Sequence, residues 1–374
     1  MTSSPVTVRR RILLAAATVL ALAGCGSGGA PADGQANLPP PASRSTAAGT
    51  ASQPAATTTT RTTTGASPSA RKAGGGSITL AFAGDVHFEG TAGASLNGGR
   101  VGSAFGVLRS ADLAVVNLET AVTDRGTAQP KEFTFRAPAA AFGVLKRAGV
   151  DAVTIANNHG MDYGRVGLSD TLAGAQRYGM PLIGAGKDDT AAWTPLRRTI
   201  DGVRVSVIAA TDVLDDFAVS AWVAKPGVPG LASAKNTDRL VDAVRAERDK
   251  ADVVAVFLHW GKETVYCPTA RQQQLARDLS DAGADIVVGS HAHVVEPHTR
   301  VGRTVVDYGL GNFQFYARGG PGSETGVLTV TATSSGAGDA TWHQATIVGG
   351  APRALTGSAA DAQQAAQNRR FSSC

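Results

Sequence analysis

The chain has 374 residues, 43% of them hydrophobic, and a formal net charge of +5. The positive charge lies in the terminal segments, because residues 77–350 carry 25 basic and 28 acidic side chains. This balance lacks the basic surface that nucleic-acid backbones require, so we expect no nucleic-acid partner.

Residues 1–24 have the features of a bacterial export signal. The arginines Arg9 to Arg11 precede the apolar run "ILLAAATVLALAG", which is too short to span a membrane comfortably. The segment "LAGC" ends at Cys25 and resembles the bacterial lipoprotein box, in which the cysteine is lipidated and becomes the new N-terminus. An ordinary secretory signal with an incidental cysteine is the alternative. We expect the protein on the outer side of the cell membrane, held only by a lipid anchor, or secreted if Cys25 is not lipidated.

Two segments outside the main body have their own predicted character. Residues 25–76 are almost entirely Gly, Ala, Pro, Ser and Thr, which predicts a flexible tether that buries too little apolar area to fold. Residues 351–374 are expected to form a C-terminal tail. Apart from Cys25, the chain has only Cys267 and Cys374. A disulfide that fixes this tail and a pair of free thiols both remain open.

The body, residues 77–350, alternates apolar β-branched runs with helical patterns. Strands are predicted at "SITLAFAG", "DLAVVNLE", "DAVTIANN", "VRVSVIAAT", "DVVAVFLHW", "DIVVGSH" and "TVVDYGLGNF". Helices are predicted at "APAAAFGVLKRAG", "GLSDTLAGAQRYG", "NTDRLVDAVRAERDKA" and "TARQQQLARDLSDAG", three of which end at Gly. The alternation predicts one α/β domain that ends in antiparallel strands at "TGVLTVTAT" and "ATWHQATIV".

Polar residues follow six of the predicted strands at the point where each strand ends. They are Asp85 and His87, Asn117 and Glu119, Asn157 to His159 with Asp162, His259, His291 and His293, and Asn312. Since the carboxyl ends of parallel strands gather at one edge of a sheet, we expect these side chains to meet. Alternation along an extended chain also places His291 and His293 on the same side. Clustered buried acids and imidazoles would lose solvation without a cation, so the pattern predicts a metal site.

The predicted ligands are oxygen and nitrogen atoms without a thiolate, which suits Mn, Fe, Zn or Mg. Seven ligands exceed what one tetrahedral ion binds, so we expect two divalent ions bridged by a carboxylate. The candidate ligands are Asp85, His87, Glu119, Asn158, His259, His291 and His293.

The order of these motifs resembles that of the calcineurin-like metallophosphoesterases. The residues within the motifs are more similar to those of one branch, the CapA family of poly-γ-glutamate capsule synthesis proteins. The motifs concerned are "GDVHF", "NLE", "FRAP", "ANNHGMDYG", "GAG", "HWGKE", "GSHAH" and "GNF". The resemblance covers residues 78–315. It implies a four-layer α/β/β/α sandwich of the metallo-dependent phosphatase type around a dinuclear metal centre.

The resemblance also implies how the ligands divide between the two ions. One ion would be held by Asp85, His87 and His293, the other by Asn158, His259 and His291, with Glu119 as the bridge.

Beyond the ligands, the resemblance implies a catalytic role for His159, as general acid or as electrostatic stabiliser of the reacting group. Asp162 either orients the His159 ring or caps the next helix. Arg136 of "FRAP" is a candidate substrate-binding residue, with a structural ion pair as the alternative.

Three further residues near these motifs are weaker candidates. Glu263 and Trp260 of "HWGKE" either line the cleft, with Glu263 binding substrate, or only support His259. Asn312 is expected to hydrogen-bond a group beside a ligand.

The sequence departs from the phosphoesterase pattern at two places. Asn117-Leu118-Glu119 replaces Gly-Asp-x-x-Asp, and Asn157 replaces the usual Gly. The metal site therefore carries over from the resemblance, whereas phosphatase activity does not.

The resemblance directs the functional hypotheses toward an anionic capsule or wall polymer. The first hypothesis is an exported metal-dependent hydrolase or transferase that acts on poly-γ-glutamate or a similar polymer. The second is a non-catalytic polymer-binding or assembly lipoprotein beside membrane synthetase or export subunits. A solute-binding lipoprotein is the third, and it leaves the clustered histidines unexplained.

Overall fold

The computed structural model describes residues 76–98, 101–317 and 319–374. The predicted export signal, Cys25 and the predicted tether up to residue 75 lie outside these described residues. Within the described ranges, no helix has the length and apolar character needed to cross a membrane.

The described residues form eighteen β-strands and eight α-helices. The first strands are β1 (Ile78–Val86), β2 (Leu113–Leu118), β3 (Ala121–Val122), β4 (Arg136–Ala137), β5 (Ala152–Thr154), β6 (Leu182–Ile183), β7 (Ala185–Gly186), β8 (Leu196–Ile200) and β9 (Val203–Thr211). The remaining strands are β10 (Gly230–Leu231), β11 (Val253–His259), β12 (Ile286–Ser290), β13 (His298–Val301), β14 (Thr304–Asp307), β15 (Asn312–Gln314), β16 (Glu324–Thr333), β17 (Gly336–Val348) and β18 (Ala351–Ala354). The helices are α1 (Phe105–Ser110), α2 (Ala140–Ala148), α3 (Gly164–Tyr178), α4 (Asp189–Ala192), α5 (Asp216–Ala221), α6 (Thr237–Arg248), α7 (Ala270–Ala282) and α8 (Gly357–Phe371), with 3-10 turns at Gly90–Asn97 and Pro321–Ser323.

Two large sheets organise the described part of the chain. The first has the order β18-β17-β16-β1-β2-β5-β6, with β15 also paired to β1. Its strands β1, β2, β5 and β6 are parallel, whereas β16, β17 and β18 are antiparallel, as predicted for the end of the body. The second sheet has the order β13-β14-β12-β11-β9-β8, with parallel strands at its centre and antiparallel strands at its edges.

The sheets pack face to face, and helices cover both outer faces, which confirms the predicted four-layer sandwich. Along β1, Leu80 and Phe82 face the second sheet, whereas Ala81 and its alternate neighbours face helices α1 to α3. The ring centroids of Phe82 and Phe257 lie 6.4 Å apart across the interface between the sheets. The other face of β11 packs against α6 and α7. Apolar residues occupy both faces of these strands, which explains their nearly continuous hydrophobic runs.

The four helices predicted from the sequence are present as α2, α3, α6 and α7. Three of them end at glycines in the left-handed conformation, with φ of +96° at Gly149, +58° at Gly179 and +100° at Gly283. Helix α7 begins with a capping box, in which Thr269 and Gln272 exchange hydrogen bonds. The helix boundaries therefore follow from local sequence signals.

Residues 351–374 belong to the folded domain, contrary to the C-terminal tail expected from the sequence. Strand β18 pairs with β17, and helix α8 follows it. The helix contacts the sheet through amides: Gln344 Nε2 donates to Gln367 Oε1 at 2.7 Å, and Gln363 Nε2 donates to Gln344 Oε1 at 2.7 Å. Because α8 docks through glutamines rather than through an apolar face, it lacks the hydrophobic periodicity that identifies a packed helix.

We expect Glu247 of α6 to stabilise the fold only above acidic pH. Although burial raises its pKa, hydrogen bonds from Arg197, Lys250 and Ser206 outweigh that effect and lower it from 4.5 to about 2. This stabilisation is present above pH 4.5 and is lost as the pH falls toward about 2. Urea unfolding at a series of pH values should show wild type losing about 1–3 kcal/mol more than Glu247→Gln over this interval. Equal losses would contradict the assignment.

Candidate metal centre

The carboxyl ends of β1, β2, β11 and β12 bring most of the predicted ligands together. The described residues contain three overlapping groups of three side chains, and within each group the ligand atoms lie within 4.8 Å of one another. The groups are Glu119, His259 and His291; Asp85, Glu119 and His293; and Glu263, His291 and His293.

Glu119 belongs to two of these groups and has an unusual environment. Its side chain is fully buried, and neither carboxylate oxygen has a hydrogen-bond partner. Oε1 lies 3.5 Å from His259 Nε2 and 3.9 Å from His293 Nε2. Burial, together with the nearby Asp85, raises the pKa of Glu119 well above its usual range. A buried carboxylate without partners is costly, and an adjacent cation removes that cost, so the site fits a divalent metal ion.

Asp85 is held in place by hydrogen bonds that join three strands. Asn117 Nδ2 donates to Asp85 Oδ1 at 2.8 Å, and the backbone N–H of His291 donates to Oδ2 at 3.3 Å. Asn157 Nδ2 donates to Asn117 Oδ1 at 2.9 Å, and Asn157 Oδ1 accepts the backbone N–H of His159 at 2.9 Å. The two asparagines that depart from the phosphoesterase pattern thus connect the ends of β1, β2 and β5.

His259 ends β11, and its Nε2 faces the ligand groups, 3.5 Å from Glu119 Oε1. Nδ1 lies 2.9 Å from Ser290 Oγ, and Nε2 lies 2.9 Å from Asn158 Oδ1. Asn158 therefore lies beside the ligand groups, and its role as a ligand stays a prediction. Burial, together with nearby imidazoles including His291, lowers the pKa of His259 well below its usual range. The neutral ring that results is the form that binds metal ions.

His291 and His293 reach the centre by a different path from the one predicted. Strand β12 ends at Ser290, and φ is +98° at His291 and +56° at His293, so the chain is not extended there. Their ring centroids nevertheless lie 6.0 Å apart. Burial alone would lower the pKa of His293, but Glu119 and Asp85 raise it to about 10. Left-handed conformations at two non-glycine residues cost free energy and concentrate at functional sites.

Gly289 permits the close packing that positions this turn. A Cβ atom at Gly289 would lie 2.1 Å from Trp260 Nε1 and 2.2 Å from the Tyr308 carbonyl oxygen. The Trp260 indole is fully buried and donates to that carbonyl at 2.8 Å. Trp260 therefore supports the sheet behind His259 and does not line the cleft.

His87 lies outside the three ligand groups, in contrast to its predicted role. Its Nδ1 accepts the backbone N–H of Glu89 at 2.9 Å, and its ring stacks on Phe135 at 4.8 Å. Burial, together with nearby imidazoles, lowers the pKa of His87 to about 3. The pairing register of β1 shifts between Asp85 and Val86, so strict alternation does not continue to His87.

His159 and Asp162 form a buried pair beside the centre. His159 Nδ1 lies 2.6 Å from Asp162 Oδ2, which also accepts the backbone N–H of Phe135 at 2.7 Å. Burial lowers the pKa of His159, although Asp162 acts in the opposite direction. The side chain of Asp162 makes no cap on α3, whose N-cap is Tyr163. Of the two roles considered for Asp162, the structure favours orientation of the His159 ring.

Lys131 is a buried cation at this site that the sequence did not reveal. Its side chain is only 6% exposed, and Nζ lies 2.9 Å from Asp162 Oδ1 and 3.5 Å from Asp215 Oδ2. Nζ also donates to the Asn158 carbonyl oxygen and lies 5.4 Å from the centroid of the Trp222 ring. The loop "TAQPKEF" carries no local signal for this burial, which depends on residues distant in sequence.

Lys131→Met is expected to destabilise the protein by about 3 kcal/mol, because it leaves the Asp162 carboxylate buried without its cation. Urea unfolding of the metal-free protein measures this loss. The exposed Lys187→Met variant is the control, with an expected change within about 0.5 kcal/mol. Similar unfolding free energies for the two variants would show that Lys131 has no such role.

The remaining candidates differ in how close they lie to the centre. The Arg136 guanidinium lies over the Tyr163 ring, 3.6 Å from its centroid, and its Nη2 donates to the Arg125 carbonyl oxygen at 3.4 Å. Neither contact is the ion pair considered for Arg136, and the substrate-binding role of Arg136 stays a prediction. Glu263 is exposed and belongs to the third ligand group. Asn312 Oδ1 lies 2.8 Å from His293 Nδ1, as expected for a residue that positions a ligand.

Cys267 and Cys374 are joined in a disulfide in the structure. The bond links the loop after β11 to the end of α8 and so fixes the C-terminal segment. Of the two possibilities considered for these thiols, the structure favours the disulfide.

Residues 79–317 match the sequence profile of a family described as bacterial capsule synthesis protein PGA_cap. The match covers more than half of the chain and includes every residue of the three ligand groups. The chain belongs to this family. The resemblance inferred from the motifs is thereby confirmed at the family level.

Two curated relatives carry names that refer to capsule or PGA biosynthesis. The chain is 35% identical over 212 residues to the PGA biosynthesis protein CapA of Bacillus subtilis (strain 168), covering 56% of this chain and 54% of that protein. It is 35% identical over 175 residues to the capsule biosynthesis protein CapA of Bacillus anthracis, covering 46% and 41% of the two chains. The chain thus spans about half the length of these relatives. Among solved structures, a phosphatase from Mycoplasma pneumoniae aligns with a TM-score of 0.47 at 15% identity, covering 72% of this chain and 94% of that one.

Proposed function

We propose that this PGA_cap protein acts in the synthesis of poly-γ-glutamate or a similar anionic capsule or wall polymer, with a dinuclear metal centre. Family membership supports the polymer class, since two relatives are named for PGA and capsule biosynthesis. The observation that carries the metal centre is the buried Glu119 carboxylate, which has no hydrogen-bond partner and lies beside His259 and His293.

Two cation positions that share Glu119 account for two of the three ligand groups. Asp85 and His293 would complete the first position, and His259 and His291 the second.

Two of the predicted ligands have unequal support. Asn158 adds a carboxamide oxygen beside His259. For His87, the only support is the Asp-x-His motif of the sequence. Its Nδ1 accepts the Glu89 backbone N–H, and the residue is in none of the three ligand groups.

The composition of the centre favours anionic substrates. Two divalent ions beside the carboxylates of Asp85 and Glu119 leave a net positive charge. Oxygen and nitrogen ligands suit Mn, Fe, Zn or Mg. When bound, such ions activate water and neutralise charge that develops on a transferred group.

His159 is the residue we propose to handle protons at this site. Asp162 lies against Nδ1 and would fix the proton there, which leaves Nε2 to accept a proton or a hydrogen bond. The lowered pKa of His159 favours the neutral ring, so a proton acceptor fits better than the general acid, one of the two roles, with electrostatic stabiliser, that the resemblance implies. Hydrolysis or transfer of a γ-glutamyl chain is the reaction class we propose.

We further propose that the protein is exported and anchored. Residues 1–24 would direct export, a lipid on Cys25 would hold the protein at the membrane, and residues 25–76 would form the tether. The Cys267–Cys374 disulfide supports a location outside the cytoplasm, because stable disulfides persist in oxidising compartments. Membrane synthetase or export subunits are the proposed partners.

Metal analysis combined with polymer assays tests this function. Protein dialysed against Mn²⁺ is expected to retain about two equivalents per chain by elemental analysis. Metal-loaded protein should shorten poly-γ-glutamate in size-exclusion chromatography, and chelation by EDTA should stop the reaction. Bis(p-nitrophenyl) phosphate serves as the comparison substrate for a phosphodiesterase. Protein that neither binds nor shortens poly-γ-glutamate would contradict the polymer assignment.

A non-catalytic assembly component is the second candidate. The replacement of the phosphoesterase Gly-Asp-x-x-Asp by Asn117-Leu118-Glu119 favours it, since a longer carboxylate alters a centre tuned for catalysis. This candidate predicts that metal-loaded protein binds poly-γ-glutamate without shortening it, and that the binding survives His159→Ala.

A further inference from the structure

Glu263 is the one exposed acid within the three ligand groups. It lies in the loop between β11 and α7, and one of its carboxylate oxygens is within 4.8 Å of ligand nitrogens on His291 and His293. Asp85 and Glu119, the other carboxylates of these groups, are fully buried. Glu263 therefore approaches the same histidines from the solvent side.

The loop that carries Glu263 is attached directly to the histidine turn. The backbone N–H of Thr264 donates to the carbonyl of Ala292 at 2.8 Å, and Ala292 lies between the two histidines in sequence. Thr264 has a φ of +60°, an uncommon conformation for a β-branched residue. Further along the loop, Cys267 is covalently tied to Cys374. These attachments place Glu263 beside the histidines in the folded chain.

His291 gives independent support for a metal ion beside its ring. The residue is 6% exposed, and its Nδ1 is buried without a hydrogen-bond partner. Two imidazoles and one carboxylate within mutual reach form a donor set that first-row divalent ions commonly take. The group thus has both the donors and an unsatisfied buried nitrogen.

We propose that Glu263 is a further metal ligand, which binds one of the two proposed ions from the solvent side, next to His291 and His293. This inference rests on the proposed metal centre and adds a ligand that neither the motif order nor strand-end geometry assigns. It gives Glu263 a role in metal binding instead of the substrate-binding role expected from the sequence.

Titration of the metal-free protein with Mn²⁺, followed by calorimetry, tests the proposal without any activity assay. Glu263→Gln should weaken the binding of one Mn²⁺ equivalent about 10-fold or more. Glu263→Asp keeps the charge but shortens the side chain by one methylene, so a true ligand should also be impaired there. Asp281→Asn removes an exposed charge on α7 and is the matched control, with Mn²⁺ binding expected to remain at the wild-type level. Circular dichroism of each variant checks that the fold is retained.

The outcomes separate this proposal from the metal centre itself. Weaker binding in both Glu263 variants, with the control unchanged, supports ligation. Ligation by Glu263 is overturned if Glu263→Gln binds Mn²⁺ with wild-type affinity, or if Glu263→Gln binds weakly while Glu263→Asp binds like wild type. Either result leaves the dinuclear centre intact. Wild-type protein that binds no Mn²⁺ overturns both.

Discussion

Glu119→Gln is expected to abolish tight divalent-cation binding and, at the same time, to stabilise the metal-free protein. The carboxylate belongs to two of the ligand groups, so its loss should weaken Mn²⁺ binding more than about 100-fold. In the metal-free state, neither oxygen of this buried carboxylate has a hydrogen-bond partner. A neutral amide in its place should raise the free energy of unfolding by about 1–3 kcal/mol at pH 7.

The pH dependence of this stability gain follows from the raised pKa of Glu119. Metal-free wild type should lose stability as the pH rises above about 4.5, because the folded protein disfavours the ionised carboxylate, whereas Glu119→Gln should lack this loss. Calorimetric Mn²⁺ titration and urea unfolding with EDTA measure the two effects. The exposed Glu132→Gln variant should change neither. Wild-type Mn²⁺ affinity in Glu119→Gln would show that Glu119 is not a ligand.

His159→Ala is expected to reduce turnover of a polymer substrate about 10²–10⁴-fold while both metal ions are retained. His159 belongs to none of the three ligand groups, and its Nδ1 is engaged by Asp162. Removal of the ring therefore takes away a proton acceptor without removing a ligand. The measurement is the rate of poly-γ-glutamate shortening by Mn²⁺-loaded protein, with metal content determined on the same samples.

A milder variant, which keeps the His159 ring, distinguishes an effect on proton transfer from an effect on folding. Asp162→Asn keeps the ring but no longer favours the proton on Nδ1, so turnover should fall with little change in metal content. If His159→Ala loses its metal ions together with its activity, the ring is part of the metal site and not a separate proton acceptor.

Much of the convergence of the ligands could be predicted from the sequence, because it depends on the direction of parallel strands. Parallel pairing brings the ends of β1 and β2, and with them Asp85 and Glu119, together in the first sheet. His259, at the end of β11, reaches them because the second sheet packs against the first. The layered fold follows from the same pattern, since continuous apolar strands require cover on both faces.

The detailed paths could not be predicted, because they depend on contacts between distant segments. The positive φ of His291 and His293 accompanies close packing at Gly289, where Trp260 and Tyr308 leave no space for a side chain. Such packing has no signature in the short motif "GSHAH".

Two other departures have the same origin. In the sequence, His87 continues the alternation of side chains along β1. The pairing register of β1 shifts after Asp85, however, and the His87 ring stacks on Phe135. Nothing in the sequence around Lys131 indicates burial; its side chain is buried because the fold places Asp162 and Trp222 beside it.

One continuous apolar run of the sequence is divided between the two sheets. The run "TVVDYGLGNF" was expected to form one strand, whereas its first half is β14 in the second sheet and its second half is β15 in the first. The chain crosses between the sheets at Gly311, where φ is +67°. Periodicity cannot identify such a crossing, since both halves are buried.

Anomalous diffraction from crystals grown with Mn²⁺ tests the central claim most directly. Two anomalous peaks about 3.5–4 Å apart, both in contact with the Glu119 carboxylate, are the predicted result. One peak should contact Asp85 and His293, and the other His259 and His291. A map without peaks near Glu119, from protein saturated with Mn²⁺, would contradict the dinuclear centre.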